Sequence, residues 1–280
     1  MRWKGRKESS NVEDRRGISP KGIVGGGIGT IVIVVVVLLL GGDPTSIIQN
    51  VQLDNHSTNT NYTESAQDKE LAQFVGVVLA ETENVWHAIF KEEGSTYREP
   101  KLVLFSGFVQ SECGVAGAST GPFYCSGDEK LYIELSFFTE LQKRFKAPGD
   151  FAMAYVIAHE VGYHIQKLTG VMDKMDDLRS RLSQEQYNKY SVRLELQADY
   201  YAGIWAHYTE QQDILESGDL EEALNAASAV GDDNIQKQAQ GYVVPESFTH
   251  GTSAQRKKWF YKGFTTRDMM KGNTFASADL

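Results

Sequence analysis

The residues best equipped for chemistry lie in one short run, Ala158-His159-Glu160-Val161-Gly162-Tyr163-His164-Ile165-Gln166. A helix with His at i, Glu at i+1 and His at i+4 sets two imidazoles on one face. They take two positions around a zinc ion, and the Glu polarises the bound water. His159 and Glu160 fill the first two places, but position i+4 is Tyr163 and the next imidazole, His164, stands at i+5. At about 100° per residue, i+5 points about 140° from His159, against about 40° for i+4. The pattern is broken by one residue. A zinc ion at His159 is left with either the Tyr163 phenolate or a displaced His164 as its next ligand. Phenolate is an uncommon choice, since free Tyr has a pKa of about 10.

A second run, Leu194-Glu195-Leu196-Gln197-Ala198-Asp199, supplies two carboxylates four residues apart and therefore on one helix face. The arrangement resembles zinc sites of the gluzincin type, which implies Glu195 as the third ligand and Asp199 as the carboxylate that orients the first His through its other ring nitrogen. His250 sits in a loop between Thr249 and Gly251. It could donate to a developing oxyanion or simply brace the loop. His87 and His207 read as surface or boundary residues, and Glu221-Glu222 as a solvated helix start.

These side chains need helices to hold them. Apolar residues at helical spacing from Leu71 to Phe90 predict a first helix that begins near Gln67 and ends by Gly94. A second helix is predicted over 150–168, closed by Gly170. A third covers about 184–208, with weaker helices over 220–230 and 254–262. Tyr200, Tyr201 and Trp205 are expected to pack the third helix against the second. Between the first and second helices, 101–110 is short, apolar and aromatic. Segments 123–125 and 130–135 flank Ser126-Gly127-Asp128-Glu129 as hairpin strands would.

Ahead of this domain, residues 22–42 carry no charge and centre on Ile31-Val32-Ile33-Val34-Val35-Val36-Val37-Leu38-Leu39-Leu40. About 20 residues of helix cross a hydrocarbon core of about 30 Å, so a transmembrane helix is expected there. The first 22 residues hold seven basic side chains (Arg2, Lys4, Arg6, Lys7, Arg15, Arg16, Lys21) against Glu8, Glu13 and Asp14. That basic flank predicts a single-pass protein with residues 1–21 in the cytoplasm and the main domain outside, in the periplasm or beyond. Residues 43–66, rich in Asn, Thr and Ser, read as a flexible linker, and 67–280 as the folded domain. The net charge of −9 is +4 over the first 22 residues and so −13 over the rest, which argues against nucleic acid as a partner. Cys113 and Cys125 are either two buried thiols or a pair closing a small loop. An oxidising compartment favours the disulfide.

The chain resembles the bacterial neutral zinc metallopeptidases, membrane-anchored proteins with a His-Glu-Val-Gly-His-His helix, over nearly its whole length. The resemblance rests on Arg2-Trp3-Lys4-Gly5-Arg6, on the run from Ser9 to Gly17, and on Gly121-Pro122-Phe123-Tyr124-Cys125. It rests also on Arg193 to Asp199 and on Pro245-Glu246-Ser247-Phe248-Thr249-His250-Gly251. It implies an α+β, predominantly helical, zincin-like fold of the gluzincin type with a small β-sheet. It further implies one zinc ion, Glu160 as the water-activating base, and hydrolysis of a peptide or protein substrate at the cell envelope. Tyr163 departs from the family's second zinc-binding His. Tyr200 and a Cys-free Lys271-Gly272-Asn273-Thr274 stand where the family tends to carry cysteines, which leaves Cys113 and Cys125 as the remaining candidate pair. The alternative is an inactive relative in which Tyr163 fills the space of the missing imidazole and the cleft serves binding or scaffolding.

Overall fold

Capping boxes fix where the long helices begin. In the computed structural model, which describes residues 1–17, 63–278 and 280, Ser65 Oγ accepts from Asp68 N while the Asp68 carboxylate accepts from Ser65 N, ahead of α1 (Ala66–Glu92). Two short elements on the way to the site, α2 (Ser136–Lys143) and α4 (Val171–Arg181), flank α3 (Asp150–Leu168). Ser183 with Gln186 opens α5 (Gln184–Gln211) by the same reciprocal bonds. After α6 (Asp219–Ala229) and α7 (Asp232–Gln240), Thr252 with Gln255 opens α8 (Ser253–Thr266). Each box satisfies two amide groups that a helix start leaves without partners.

The strands form a four-stranded sheet in the order β1 (Val12–Asp14), β2 (Lys101–Phe105), β6 (Lys130–Glu134), β5 (Phe123–Cys125). The first two pairings are parallel and β5–β6 is antiparallel. β3 (Phe108–Ser111) and β4 (Gly114–Gly117) make a separate hairpin. The architecture is therefore α+β and mostly helical. The expected single stretch 101–110 is split into β2 and β3. β1, α2, α4 and α7 add to the predicted elements. Cys113, just past β3, is disulfide-bonded to Cys125 on β5.

Two close helix crossings set the centre of the molecule. A Cβ on Gly162 of α3 would lie 3.0 Å from both the Cα and the carbonyl oxygen of Ala198 on α5. With no side chain at 162, the two backbones approach at the turns that carry His159 and Glu195–Asp199. Gly203 and Gly263 do the same for α5 and α8: a Cβ at either would fall 2.0 Å from the other helix's carbonyl oxygen. Around these crossings, Trp205 stacks on Phe151 of α3 with ring centroids 5.5 Å apart. Tyr201 instead meets Trp86 of α1 edge-on. Tyr200 packs against Trp259 of α8 and lies on Gly272, its hydroxyl donating to Asp268 O at 2.6 Å. Burying side chains of this size contributes roughly 1.5–3 kcal/mol each. The tail near Gly272, where the family tends to carry a cysteine, is held here by that ring and by Gln197 Nε2 donating to Gly272 O at 2.9 Å.

Residues 1–17 pack into the body that was expected to start at 67. β1 extends the sheet, Trp3 is buried edge-on to Phe74, and Arg6 Nε donates to the buried Glu81 at 2.7 Å. Two smaller expectations also change. Glu222 is not merely solvated, since its carboxylate accepts from Phe151 N at 3.1 Å and so caps α3. His207 is buried against Tyr208 and Phe264. Among the described residues no helix is long and apolar enough to cross a membrane. The expected span 22–42 and the linker up to residue 62 lie outside the described residues.

Candidate metal centre

The i, i+4 spacing does on α3 what the helical wheel requires. The rings of His159 and Tyr163 lie on one face, edge to face, with centroids 5.2 Å apart. Glu195 and Asp199 reach that face from α5. His159 Nε2 is 3.3 Å from Glu195 Oε2, and His159 Nδ1 is 2.8 Å from Asp199 Oδ1. An ionised carboxylate only accepts, so Nδ1 carries a hydrogen and Nε2 is the nitrogen left to face Glu195. Tyr163 Oη donates to Glu195 Oε1 in a short hydrogen bond. Glu160, buried on the same helix, lines the same cleft, and its Oε2 has no hydrogen-bond partner among the described residues.

His164 points away, as its place at i+5 dictates. Nε2 contacts Arg98 O at 2.6 Å, so it must donate there, and Nδ1 then accepts from the Tyr124 hydroxyl at 3.0 Å. Fully buried with Tyr97 and Tyr124, it has no free nitrogen for a metal. Of the two alternatives for the next ligand, Tyr163 and a displaced His164, the structure turns His164 away from His159 and Glu195. His250 lines the cleft rim. Its Nδ1 is 3.1 Å from Asp232 Oδ1, and the amides of Thr249, His250 and Gly251 all donate to Asp232 Oδ2. The loop is thus braced by Asp232, and the imidazole is carried at the edge of the cleft.

Two residues escaped the sequence reading. Arg256 of α8 is buried and grips Asp199 with both arms, Nε to Oδ2 at 2.8 Å and Nη2 to Oδ1 at 3.0 Å. The same Nη2 lies against the His159 ring, 3.3 Å from Nδ1, and 3.9 Å from Glu195 Oε2. Tyr155 donates to Asp199 Oδ1 at 2.5 Å. Tyr155 stands one turn before His159, so helical spacing could have found it. Nothing in the local sequence marks Arg256 as buried.

The electrostatics follow from this packing. Burial opposes ionisation of Asp199 and Glu195, but cationic neighbours prevail. Arg256 and His159 hold Asp199 far below the usual carboxylate range, and His250, His159 and Arg256 hold Glu195 at about 2. Burial lowers His159, yet Asp199 and Glu195 raise it to about 9. Without a metal the ring is therefore charged at neutral pH, and metal binding at Nε2 requires loss of that proton. Glu160, with burial as its main influence, is pushed up to about 7. Burial and the nearby carboxylates push Tyr163 well above the ordinary phenol value, so the hydroxyl stays neutral.

Do these groups fit zinc? Metal–ligand bonds of about 2.0–2.2 Å at tetrahedral angles place ligand atoms about 3.3–3.5 Å apart. The 3.3 Å between His159 Nε2 and Glu195 Oε2 matches such an edge. Glu195 Oε2 is ion-paired with the charged His159 ring in the metal-free state, whereas Glu160 Oε2 is buried without a hydrogen-bond partner among the described residues. The donor set fits an ion held by two residues, with a neutral phenol oxygen in the third place. The three-carboxylate group at Asp150, Asp219 and Glu222 is a different feature, engaged by the Met1 amino group at 2.7 Å from Asp150 and 3.2 Å from Asp219.

The cleft around the site has a volume of about 560 Å³ and is walled by Pro122, Phe123, Tyr124, Phe137 and Ile235, among others. No solved structure matches this chain. An uncharacterized protein of Escherichia coli K12, YpfJ, is 46% identical over 288 residues, covering 99% of this chain and all of that one. An uncharacterized protein of Mycobacterium tuberculosis H37Rv, Rv2575, is 39% identical over 255 residues, covering 86% of this chain and 85% of its own length. The family model described as "Putative neutral zinc metallopeptidase" matches residues 1–275, and the chain belongs to that family.

Proposed function

We propose that the protein is a zinc-dependent peptidase of zincin-like fold, acting on peptide or protein substrates while its apolar segment 22–42 attaches it to a membrane. The observation that carries the reading is the 3.3 Å pairing of His159 Nε2 with Glu195 Oε2 beside the buried, unpartnered Glu160. Zinc supplies Lewis acidity, polarising the peptide carbonyl and making water a nucleophile near neutral pH.

The remaining steps belong to the chain itself. His159 and Glu195 would hold the ion. Asp199, locked by Arg256 and Tyr155, fixes the His159 ring so that Nε2 faces the ligand position. Glu160 takes the proton of the attacking water and passes it to the departing amine. A carboxyl titrating near 7 is suited to both transfers. His250, held above its ordinary value by Glu195 and Asp232 despite partial burial, offers a positive donor at the cleft edge for the oxyanion. Tyr163 keeps Glu195 Oε1 occupied and leaves Oε2 for the metal.

The neutral Tyr163 phenol is also the observation behind the second reading, a binding protein that has lost catalysis. Peptide cleavage by the purified, zinc-loaded chain separates the two. Peptidase function predicts cleavage that Glu160→Gln reduces at least about 100-fold, the usual scale of a general-base contribution. Absence of cleavage in the parent together with its appearance in Tyr163→His would instead support the binding protein.

A further inference from the structure

Residues 1–17 and 63 onward flank the apolar run, and the fold brings them together. Beside the β1–β2 ladder, Val12 to Asp14 against Leu102 to Leu104, stand contacts far apart in sequence. Ser9 Oγ and Asn11 Nδ2 both donate to Glu83 Oε1, at 2.6 and 2.9 Å. Arg16 Nη2 is 2.8 Å from Glu64 Oε1, and Arg16 Nη1 donates to Asp68 O at 3.2 Å. Arg16 and Glu64, on the two described parts that flank residues 18–62, are thus within reach of each other's side chains.

The basic residues that suggested a cytoplasmic N-terminus have partners in this body. Arg2 pairs with Glu216, Lys4 with Glu70 at 2.7 Å, Arg6 with Glu81 at 2.7 Å, and Lys101 and Lys130 join Arg15 around Glu13. In Arg6–Glu81 the carboxylate is buried, so the arginine offsets a charge that the fold takes out of water. Five of the seven basic residues behind that topology signal, Arg2, Lys4, Arg6, Arg15 and Arg16, are thus ion-paired within the described residues. A segment that crosses a hydrocarbon core of about 30 Å once delivers its two ends to opposite faces. A parallel ladder cannot form between strands on opposite faces.

We infer that residues 1–17 and 63–280 occupy one compartment, so that the run 22–42 does not carry the chain across a bilayer a single time. Any hold it has on a membrane is an excursion from one side of the folded body. The Cys113–Cys125 disulfide favours the non-cytoplasmic side for that body. The inference is independent of whether the metal centre is active.

Single cysteines in the full chain test it. Lys4 and Lys189 are exposed, at 75% and 69%, on the two parts in question, and both native cysteines are bonded to each other. Lys4→Cys and Lys189→Cys, treated with a membrane-impermeant maleimide on intact and on permeabilised cells, should label under the same condition. Labelling of both in intact cells, or of both only after permeabilisation, upholds one compartment. Labelling of one in intact cells and of the other only after permeabilisation overturns it. The double variant Lys4→Cys/Glu70→Cys checks the fold directly. A short bis-maleimide should join positions 4 and 70 within one chain, read by mass spectrometry, and a cross-link yield no higher than for Lys4→Cys/Lys189→Cys would contradict the inference.

Discussion

The α5 half of the metal centre and the α3 half are built on opposite terms. Asp199 is buried, and each of its oxygens is held: Oδ1 by Tyr155, His159 and Arg256, and Oδ2 by Arg256. On α3, Glu160 is equally buried but its Oε2 has no partner among the described residues, and Tyr163 occupies the place of an expected imidazole. One half is fixed by its own hydrogen bonds. The other keeps a carboxyl group with one buried oxygen that no partner satisfies among the described residues. A buried polar group without a partner is destabilising, so its presence points to a task in chemistry and not in folding.

The largest expected effect comes from breaking the fixed half. Arg256→Met leaves Asp199 charged, buried and half satisfied, and should destabilise the domain by about 3–5 kcal/mol in urea unfolding. A loss below about 1 kcal/mol would mean that the Asp199 cluster is not the anchor described here. The other half should respond in the opposite direction. Glu160→Gln, in metal-free protein above pH 7, should stabilise by up to about 3 kcal/mol, the equivalent of raising a carboxyl from about 4.5 to about 7. Because the folded value is the raised one, the gain should be full above pH 7 and vanish below about pH 4.5. A variant that is destabilised at pH 8 would contradict the contrast.

The same variant exposes the pH dependence of the His159–Glu195 pair that joins the two halves. His159 is raised from 6.5 to about 9, so its contribution is complete below pH 6.5 and is lost as the pH rises through 9. Glu195 is lowered from 4.5 to about 2, so its contribution is complete above pH 4.5 and is lost as the pH falls towards 2. In a Glu160→Gln background with chelator present, stability should therefore be highest between about pH 5 and 6.5 and fall on both sides. Replacing His159 by Asn should flatten the alkaline side. An alkaline side unchanged by that replacement would assign the loss to other groups.

Much of this was legible in the sequence, and the parts that were not share a cause. The helices that carry the site, expected over 150–168 and about 184–208, stand there as α3 and α5. Spacing sets His159 with Tyr163 on one face of α3, Glu195 with Asp199 on one face of α5, and turns His164 outward; that the two faces meet is what the family resemblance implied. Arg256 was missed because its burial is created by the Gly203–Gly263 crossing, which brings α8 against α5 from more than fifty residues away. The place of residues 1–17 was missed because β1 has only three residues and its partner strand begins at Lys101. Their basic side chains carried a topology signal that the fold answers with ion pairs. Long-range pairing of a short strand leaves almost no local trace.

The central claim is that His159 and Glu195 hold a zinc ion with Tyr163 as a weak third partner. Zinc affinity, measured by competition with a chelating dye for the parent, for His159→Ala and for Tyr163→His, tests it most directly. The account predicts one site in the parent, its loss in His159→Ala, and binding at least about 10–100-fold tighter in Tyr163→His, where an imidazole replaces a neutral phenol. Zinc binding that survives His159→Ala, or that is no tighter in Tyr163→His, would contradict it.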